Sequence, residues 1–180
     1  MRAQHIEIRN ARADDLYGLV QSLGQWSFFI DRFYRQQTDR GELLTAWSLA
    51  GHALGAVYLW LEPADEPEIR THLPGVPLLT HLEVPPDHRN RGVGTKLVAA
   101  TEHSALDLGR DHLALAVKLG NADAERFYRR LGYHRWDHGE VPCVDKFGNH
   151  GVEICDIYLK TLAWSRLPAP RSESVLSRSS

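Results

Sequence analysis

The segment around residues 78–108 restricts the fold more than any other part of the sequence. Apolar residues from Leu78 to Val84 predict a strand, which Pro85 and Pro86 end. A helical apolar pattern begins a few residues later, and between the two lies Arg89-Asn90-Arg91-Gly92-Val93-Gly94-Thr95. A glycine-rich turn at the start of a helix presents free backbone N–H groups and the positive end of the helix dipole. This turn therefore predicts a site for a phosphate group.

The turn differs from the two common nucleotide-binding motifs. A dinucleotide fingerprint needs a further glycine where Leu97 stands, and a Walker A loop needs Gly-Lys-Ser/Thr, whereas the order here is Gly94-Thr95-Lys96. The two glycines still allow the backbone to approach a ligand closely, and the two arginines can add charge-assisted hydrogen bonds. Taken alone, a Gly-x-Gly sequence after a strand is a weak signal, and an ordinary tight turn is the better interpretation.

Hydrophobic periodicity predicts that short strands and helices alternate along the chain. The other predicted strands are His5–Arg9, Leu43–Leu49, Ala53–Leu61, His112–Val117, Tyr133–Trp136 and Val152–Leu159. One predicted helix follows Asp14, its expected N-cap, and two others occupy Trp26–Gln37 and Ala122–Leu131. Residues 62–77 form a proline-rich, acidic connection with little periodicity.

Length and charge narrow the functional classes. The 180 residues suffice for one domain, which we place at residues 1–165, followed by a flexible Pro/Ser/Arg-rich tail at residues 166–180. A net charge of −2 gives no overall positive field for nucleic acid or an anionic membrane. No apolar run approaches the roughly 20 residues of a membrane-spanning helix. The N-terminus also lacks a signal-peptide pattern, so we expect a cytoplasmic protein.

The sequence gives no reason to expect a metal ion. Cys143 and Cys155 match neither a CxxC pair nor a zinc site. The histidines show no metal-ligand spacing. Only four of the 21 basic residues are lysines, a bias that is common in GC-rich genomes and points to a bacterial source.

A second segment makes the glycine-rich turn much more specific. It reads Asn121-Ala122-Asp123-Ala124-Glu125-Arg126-Phe127-Tyr128-Arg129-Arg130-Leu131-Gly132-Tyr133. Together the two segments resemble the GNAT superfamily of N-acetyltransferases. The residues that match its two signatures are Arg89, Gly92 and Gly94, and then Asn121, Phe127, Tyr128 and Leu131 to Tyr133. The order of predicted elements also fits, so the resemblance covers about residues 5–162.

The resemblance implies a fold, a reaction and a co-substrate. The implied fold is a single α+β domain with a mixed, mostly antiparallel sheet of six to seven strands and about four flanking helices. Its fourth strand splays from the fifth. The implied reaction is transfer of the acetyl group of acetyl-CoA to a primary amine. Homodimers are common among such proteins, but the sequence shows no interface.

The resemblance also implies which residues hold the co-substrate. The backbones of Leu82 and Val84 would bind pantetheine. The pyrophosphate would lie on the residues of the turn, namely Arg89, Asn90, Arg91, Gly92, Val93, Gly94 and Thr95. Asn121 would contact the coenzyme, although capping of the following helix is an equally good role.

Two residues are candidates for the chemistry. Tyr128 lies two helical turns beyond Asn121, about 10 Å along the same face, and the resemblance places it near the thioester sulfur. A phenol, with a pKa of about 10, is a weaker acid than an alkyl thiol at about 8.5, so Tyr128 is expected to hydrogen-bond the departing sulfur. Relatives often carry a carboxylate where Thr80 stands. Glu83, on the same strand face as His81, is the replacement candidate for the general base, although a solvated strand residue would look the same.

The predicted acceptor is a small cationic amine. Acidic residues cluster before the fourth strand and in segments where relatives build the acceptor site: Glu62, Asp65, Glu66, Glu68, Asp31, Asp39, Glu140, Asp145 and Glu153. Such a lining would attract a polyamine or an aminoglycoside-like antibiotic, and the latter would imply a role in antibiotic resistance. Solvated charge runs have the same appearance. The alternative functions are a protein or peptide N-acetyltransferase and a non-catalytic acetyl-CoA sensor.

Overall fold

The computed structural model describes residues 5–144, 147 and 151–164, so the predicted tail at residues 166–180 lies outside it. The strands within the described part are β1 (Ile6–Asn10), β2 (Gly41–Ser48), β3 (Ala53–Trp60), β4 (Leu78–Glu83), β5 (His112–Lys118), β6 (His134–Arg135), β7 (Val141–Val144) and β8 (Val152–Thr161). The α-helices there are α1 (Asp15–Leu23), α2 (Trp26–Gln37), α3 (Pro67–His72), α4 (Val93–Asp107) and α5 (Ala122–Arg130).

These strands form one mixed sheet, as the resemblance implies. The order across the sheet is β1-β2-β3-β4-β5-β8-β6, and β7 pairs with β8. All pairings are antiparallel except that of β4 with β5, which is parallel and has a single pair in register, Leu78 with Ala114. Beyond that pair the two strands separate, so the prediction of splayed fourth and fifth strands is confirmed.

Two short elements raise the count above six to seven strands and about four helices. Helix α3 lies inside the connection at residues 62–77, where Pro67 occupies the first helical turn and Ile69 is buried. Strand β7 contains Pro142 and pairs only with β8. A proline is tolerated on such an edge, but it removes the periodic signal by which a strand is predicted.

Asp14 is the N-cap residue of α1, as predicted, but the expected capping hydrogen bond is absent among the described residues. The carboxylate of Asp15 accepts a hydrogen bond of 2.7 Å from the Arg12 amide. It also forms a bidentate ion pair with the Arg9 guanidinium. Burial alone would raise the pKa of Asp15, but these hydrogen bonds outweigh it and lower the pKa.

The core consists of two hydrophobic clusters, one on each face of the sheet. Residues such as Leu97 and Leu113 belong to the cluster beneath α4 and α5, and Phe29 and Trp47 belong to the cluster beneath α1 and α2. Every residue of β3 is buried, because helices cover both faces of the central strands.

A β-bulge in β4 turns the end of this strand away from β5. Ala56 pairs with Glu83 and Tyr58 pairs with Thr80, so two residues of β4, His81 and Leu82, lie opposite one residue of β3. His81 has a φ of +52°, in the left-handed region that a non-glycine residue rarely adopts. The bulge thus exposes the last residues of β4 next to the turn that precedes α4.

Candidate active site

The turn between β4 and α4 leaves its backbone N–H groups without partners. Asn90 and Gly92 both have left-handed φ angles, +57° and +81°, and Gly92 is the N-cap of α4. The first helical hydrogen bond is donated by Lys96 to the Gly92 carbonyl. Among the described residues no backbone hydrogen bond is donated by residues 90–95, whereas the Arg89 amide donates to Pro86. Several adjacent free donors at a helix start form a site for an anion.

Gly94 allows α4, α5 and β4 to meet closely. A Cβ atom at this position would lie 3.4 Å from Cζ of Phe127 and 3.9 Å from a methyl group of Leu82. A larger side chain would therefore displace Phe127 or extend into the space in front of the turn.

A cleft of about 950 Å³ lies in front of these amides. Its lining includes most of the residues that the sequence analysis predicts: Leu82, Glu83, Val84, Arg89, Asn90, Gly92, Gly94, Thr95, Asn121 and Tyr128. Two predicted residues are not part of this lining. The side chain of Arg91 points to solvent, and that of Val93, 1 % exposed, belongs to the core.

Arg89 has a second role that the sequence does not reveal. Its Nε atom donates a hydrogen bond of 3.0 Å to the carbonyl oxygen of Val84. This bond ties the turn to the end of β4, and it already uses the Val84 carbonyl that pantetheine was expected to contact.

Helix α5 contributes five lining residues that the sequence analysis does not assign to the site, although it names Phe127 as a signature match: Asp123, Ala124, Arg126, Phe127 and Arg130. The signal that could have found the two arginines is their spacing of four, which places them on one helical face. Arg126 pairs with Asp123 at the surface, and the Arg130 guanidinium lies 5.8 Å from the centre of the Phe127 ring. Helix α5 thus adds two guanidinium groups and one carboxylate to the lining of the cleft.

Asn121 caps α5, as one of its two predicted roles requires. Its Oδ1 atom accepts a hydrogen bond of 3.2 Å from the Ala124 amide. The same residue lines the cleft, so both roles are compatible with its position.

Tyr128 is a buried residue whose ring lines the cleft. Its ring packs edge-on against Phe127 and Tyr133, with centroids 5.1 Å and 5.7 Å away. Burial raises the pKa of Tyr128 well above its ordinary value, so the phenol stays protonated and remains a hydrogen-bond donor.

Two smaller cavities continue from the cleft through the gap between β4 and β5. The middle cavity, about 370 Å³, shares Leu82, Asn121, Ala124 and Tyr128 with the cleft. A distal chamber of about 220 Å³ shares Glu66, Leu78, Thr80 and His81 with the middle cavity. The three cavities therefore follow one another from the turn to the α2 side of the sheet.

The β4 bulge brings His81 and Glu83 together. His81 Nε2 lies 3.0 Å from a carboxylate oxygen of Glu83, and the imidazole stacks on Phe28 with ring centroids 3.8 Å apart. Glu83 lines the cleft, whereas His81 lines the middle cavity and the distal chamber. Thr80, at the position where relatives carry a carboxylate, donates to the Tyr58 carbonyl.

Most of the predicted acidic residues have basic partners or lie away from the cavities. Asp31 bonds Arg32 and Arg35, Glu62 bonds Arg35, and Glu153 bonds Lys118. Asp65 and Glu66 line the distal chamber, and Asp145 lies outside the described residues.

The described residues contain neither a group of metal-binding side chains nor a membrane-spanning helix. Over residues 5–144, 147 and 151–164, no group of three or more His, Cys, Asp or Glu side chains is arranged to hold a metal ion. None of the helices in that part is long and apolar enough to span a bilayer.

The chain is similar to known acetyltransferases in sequence and in fold. Residues 6–133 match the sequence profile of the Acetyltransferase (GNAT) family. No curated protein matches the sequence.

Solved structures share the fold at low sequence identity. A ribosomal-protein-alanine N-acetyltransferase from Brucella melitensis aligns with a TM-score of 0.66 and 19% identity, over 87% of this chain and 99% of that chain. The PaiA N-acetyltransferase from Thermoplasma acidophilum, in complex with coenzyme A, gives 0.65 and 17% over 87% and 99%. The spermidine/spermine N-acetyltransferase SpeG from Vibrio cholerae gives 0.62 and 14% over 88% and 92%.

Proposed function

The chain belongs to the GNAT family of acetyltransferases, and on that premise we propose that it acetylates the primary amine of a small cationic molecule with acetyl-CoA. The observation that supports this most is the succession of three cavities from the turn at residues 89–95, past Tyr128, to the distal chamber. The turn suits a diphosphate, the gap between β4 and β5 suits pantetheine, and the distal chamber suits the acceptor.

The residues around the cleft fit coenzyme A. The unpaired amides of Gly92, Gly94 and Thr95 would bind the pyrophosphate, and Arg126 and Arg130 of the same lining would neutralise phosphate charge. Pantetheine would bind along the exposed end of β4, where the backbone of Leu82 lies beside the bulge. The Val84 carbonyl can serve as a second contact only by sharing its oxygen with Arg89.

Tyr128 would stabilise the departing thiolate. In the reaction the amine nitrogen bonds to the thioester carbonyl carbon, the carbon–sulfur bond breaks, and negative charge develops on sulfur. A buried, protonated phenol can donate a hydrogen bond to that sulfur. Because Tyr128 is a weaker acid than a thiol, the hydrogen bond stabilises the thiolate without full proton transfer.

The proton released by the amine would leave through His81 and Glu83. His81 lines the cavities that the amine would occupy, and its Nε2 is held by Glu83. With that nitrogen engaged, His81 can accept the proton at Nδ1 while Glu83 orients the ring and stabilises the resulting charge. Glu83 thereby keeps a role in the base, as predicted, but acts through His81.

The distal chamber favours a small acceptor over a folded polypeptide. Its volume is about 220 Å³, and Asp65 and Glu66 give its lining the negative charge that attracts an ammonium group. A peptide acetyltransferase would need an open groove at this position.

The experiment is a panel of amines incubated with the protein and acetyl-CoA while free thiol is followed. Small cationic amines, amino acids and short peptides form the panel, and His81→Gln and Glu83→Gln are compared with wild type. We expect thiol release with a small amine, and a decrease of about 100-fold or more for His81→Gln. Binding of acetyl-CoA without thiol release for any amine would support a sensor instead. Rate-versus-pH curves identical to wild type for both variants would exclude this pair as the base.

A further inference from the structure

The distal chamber contains a buried arginine in an aromatic cage. Arg32 of α2 is 8 % exposed and lines this chamber. Its Cζ atom lies 5.0–5.1 Å from the ring centres of four aromatic residues, Phe28, Tyr58, Trp60 and Phe147. These rings stabilise the cation and keep water away from it.

The hydrogen-bonding capacity of Arg32 is incompletely used. Its Nη1 atom donates a hydrogen bond of 2.7 Å to Asp31. Its Nε atom is buried and has no hydrogen-bond partner among the residues that the structure describes. A buried donor without an acceptor is unfavourable, so this guanidinium is short of acceptors. An oxygen atom of a ligand in the chamber would meet the part of the Arg32 side chain that lines it.

In the ion-pair network of Arg32, guanidinium groups outnumber carboxylates. Asp31 also accepts a hydrogen bond of 2.9 Å from Arg35. Arg35 bonds Glu62 in turn, and Arg40 lies 3.9 Å from the same carboxylate. Three guanidinium groups thus share two carboxylates, and of the three only Arg32 lines the chamber.

Asp65 and Glu66 belong to the same lining, so the chamber presents both signs of charge to a single ligand. His81 stacks on Phe28, and Phe28 is also one of the rings around Arg32. His81, the proposed proton acceptor, and the buried Arg32 therefore contact the same ring, within reach of one small molecule.

We propose that Arg32 binds a carboxylate of the acceptor, so that the substrate is a small amphoteric molecule with both an amine and a carboxylate. This inference rests on the proposed function and changes its acceptor from a purely cationic amine to an amine that also carries a carboxylate. A guanidinium pairs with a carboxylate through charge-assisted hydrogen bonds, which are stronger in an environment that excludes water. A polyamine has no group to offer this arginine.

The test compares amino acids with the corresponding primary amides, in which the carboxylate is replaced by an uncharged group. Both are offered as ligands to the protein with coenzyme A bound. The probes are glycine, 3-aminopropanoate, 4-aminobutanoate and 6-aminohexanoate, each with its amide, and calorimetry measures their affinities. Arg32→Met removes the charge at similar length. Arg35→Met is the matched control, because it removes a guanidinium from the same cluster but not from the chamber.

We expect at least one acid to bind wild type about 10-fold or more tightly than its amide. That preference should fall to near one in Arg32→Met, persist in Arg35→Met and be partly retained in Arg32→Lys. If Arg32→Met fails to fold, the wild-type ratio and Arg32→Lys decide the matter. Equal affinities of acid and amide at every length, no detectable binding of any acid, or an unchanged preference in Arg32→Met would overturn the proposal.

Thiol release, measured in separate reactions of the same probes with acetyl-CoA, separates this inference from the proposed function. Acid-selective binding that depends on Arg32, without thiol release, would leave the carboxylate site standing and remove the enzyme activity. Thiol release with diamines of similar length, without any preference for acids, would support the activity and remove the carboxylate site.

Discussion

Replacing Tyr128 with phenylalanine tests the proposed role of its hydroxyl group. Tyr128 is 8 % exposed, and the change removes only its hydroxyl oxygen, so the packing of the ring is kept. None of the hydrogen bonds among the described residues uses this hydroxyl group, so none of them is lost. A hydrogen bond to a charged sulfur contributes about 1.5–3 kcal/mol, which corresponds to a decrease of about 10- to 100-fold in the rate of acetyl transfer. The affinity for acetyl-CoA should change by less than about 2-fold, because the ground-state sulfur is neutral and a weak acceptor.

Single-turnover thiol release measures the chemical step, and calorimetry measures acetyl-CoA affinity. Because burial raises the pKa of Tyr128, the hydroxyl stays protonated, and the ratio of wild-type to variant rates should be constant between about pH 6 and 9. The matched control is Tyr133→Phe, because Tyr133 packs on Tyr128 but is not among the residues that line the three cavities. We expect this control to keep the wild-type rate. A Tyr128→Phe rate within 2-fold of wild type would refute the reasoning.

Three further substitutions test the close packing at Gly94 and two ion pairs elsewhere in the fold. Gly94→Val adds methyl groups beyond a Cβ that already lies 3.4 Å from Phe127, so coenzyme A affinity by calorimetry should fall about 10-fold or more; an unchanged affinity would contradict the close approach. Lys160→Met leaves the Glu102 carboxylate, 4% exposed and 2.7 Å from the lysine, buried without its partner. The free energy of unfolding in urea should fall by about 3–5 kcal/mol, and a loss below about 1 kcal/mol would argue against a buried pair. Asp15 has a lowered pKa in the folded state, so its ion pair stabilises the protein above about pH 4 and this stability is lost as the pH falls. Asp15→Asn should therefore weaken the dependence of the melting temperature on pH in the acid range, and an identical acid dependence would count against the ion pair.

The sequence predicts the fold well where elements are long and periodic. Helix α4 and strands β3 and β5 follow clear patterns of buried side chains, and two signatures specify the family. The exceptions are short elements whose formation depends on tertiary contacts. Helix α3 has six residues, and β7 forms only by pairing with β8.

The candidate site is predictable where it depends on the backbone. A glycine-rich turn before a helix has free amides because the first helical N–H groups have no acceptors within the helix. The capping hydrogen bond of Asn121 is likewise local, since it joins residues within one helical turn. Contacts between distant segments are not predictable in this way. Arg32 meets Tyr58, Trp60 and Phe147 only after folding, and the pairing of His81 with Glu83 depends on the bulge opposite β3.

The β4 bulge also explains a partial failure of the strand pattern. A regular strand places every second residue on one face, and His81 and Glu83 are two apart. The bulge interrupts that alternation at His81 and Leu82, yet the two side chains still meet at 3.0 Å. The sequence predicts a shared strand face for these two residues, and their contact arises although the backbone between them is irregular.

The most direct test of the account is a titration of the isotope-labelled protein with coenzyme A, followed through backbone amide resonances. The account predicts that the amides of Gly92, Gly94 and Thr95 shift strongly on binding, since they have no internal acceptors. Pantetheine, which lacks the diphosphate, should leave these three resonances nearly unchanged while it perturbs the end of β4. Shifts confined to other parts of the protein, or no binding of coenzyme A, would contradict the claim that this turn holds the diphosphate.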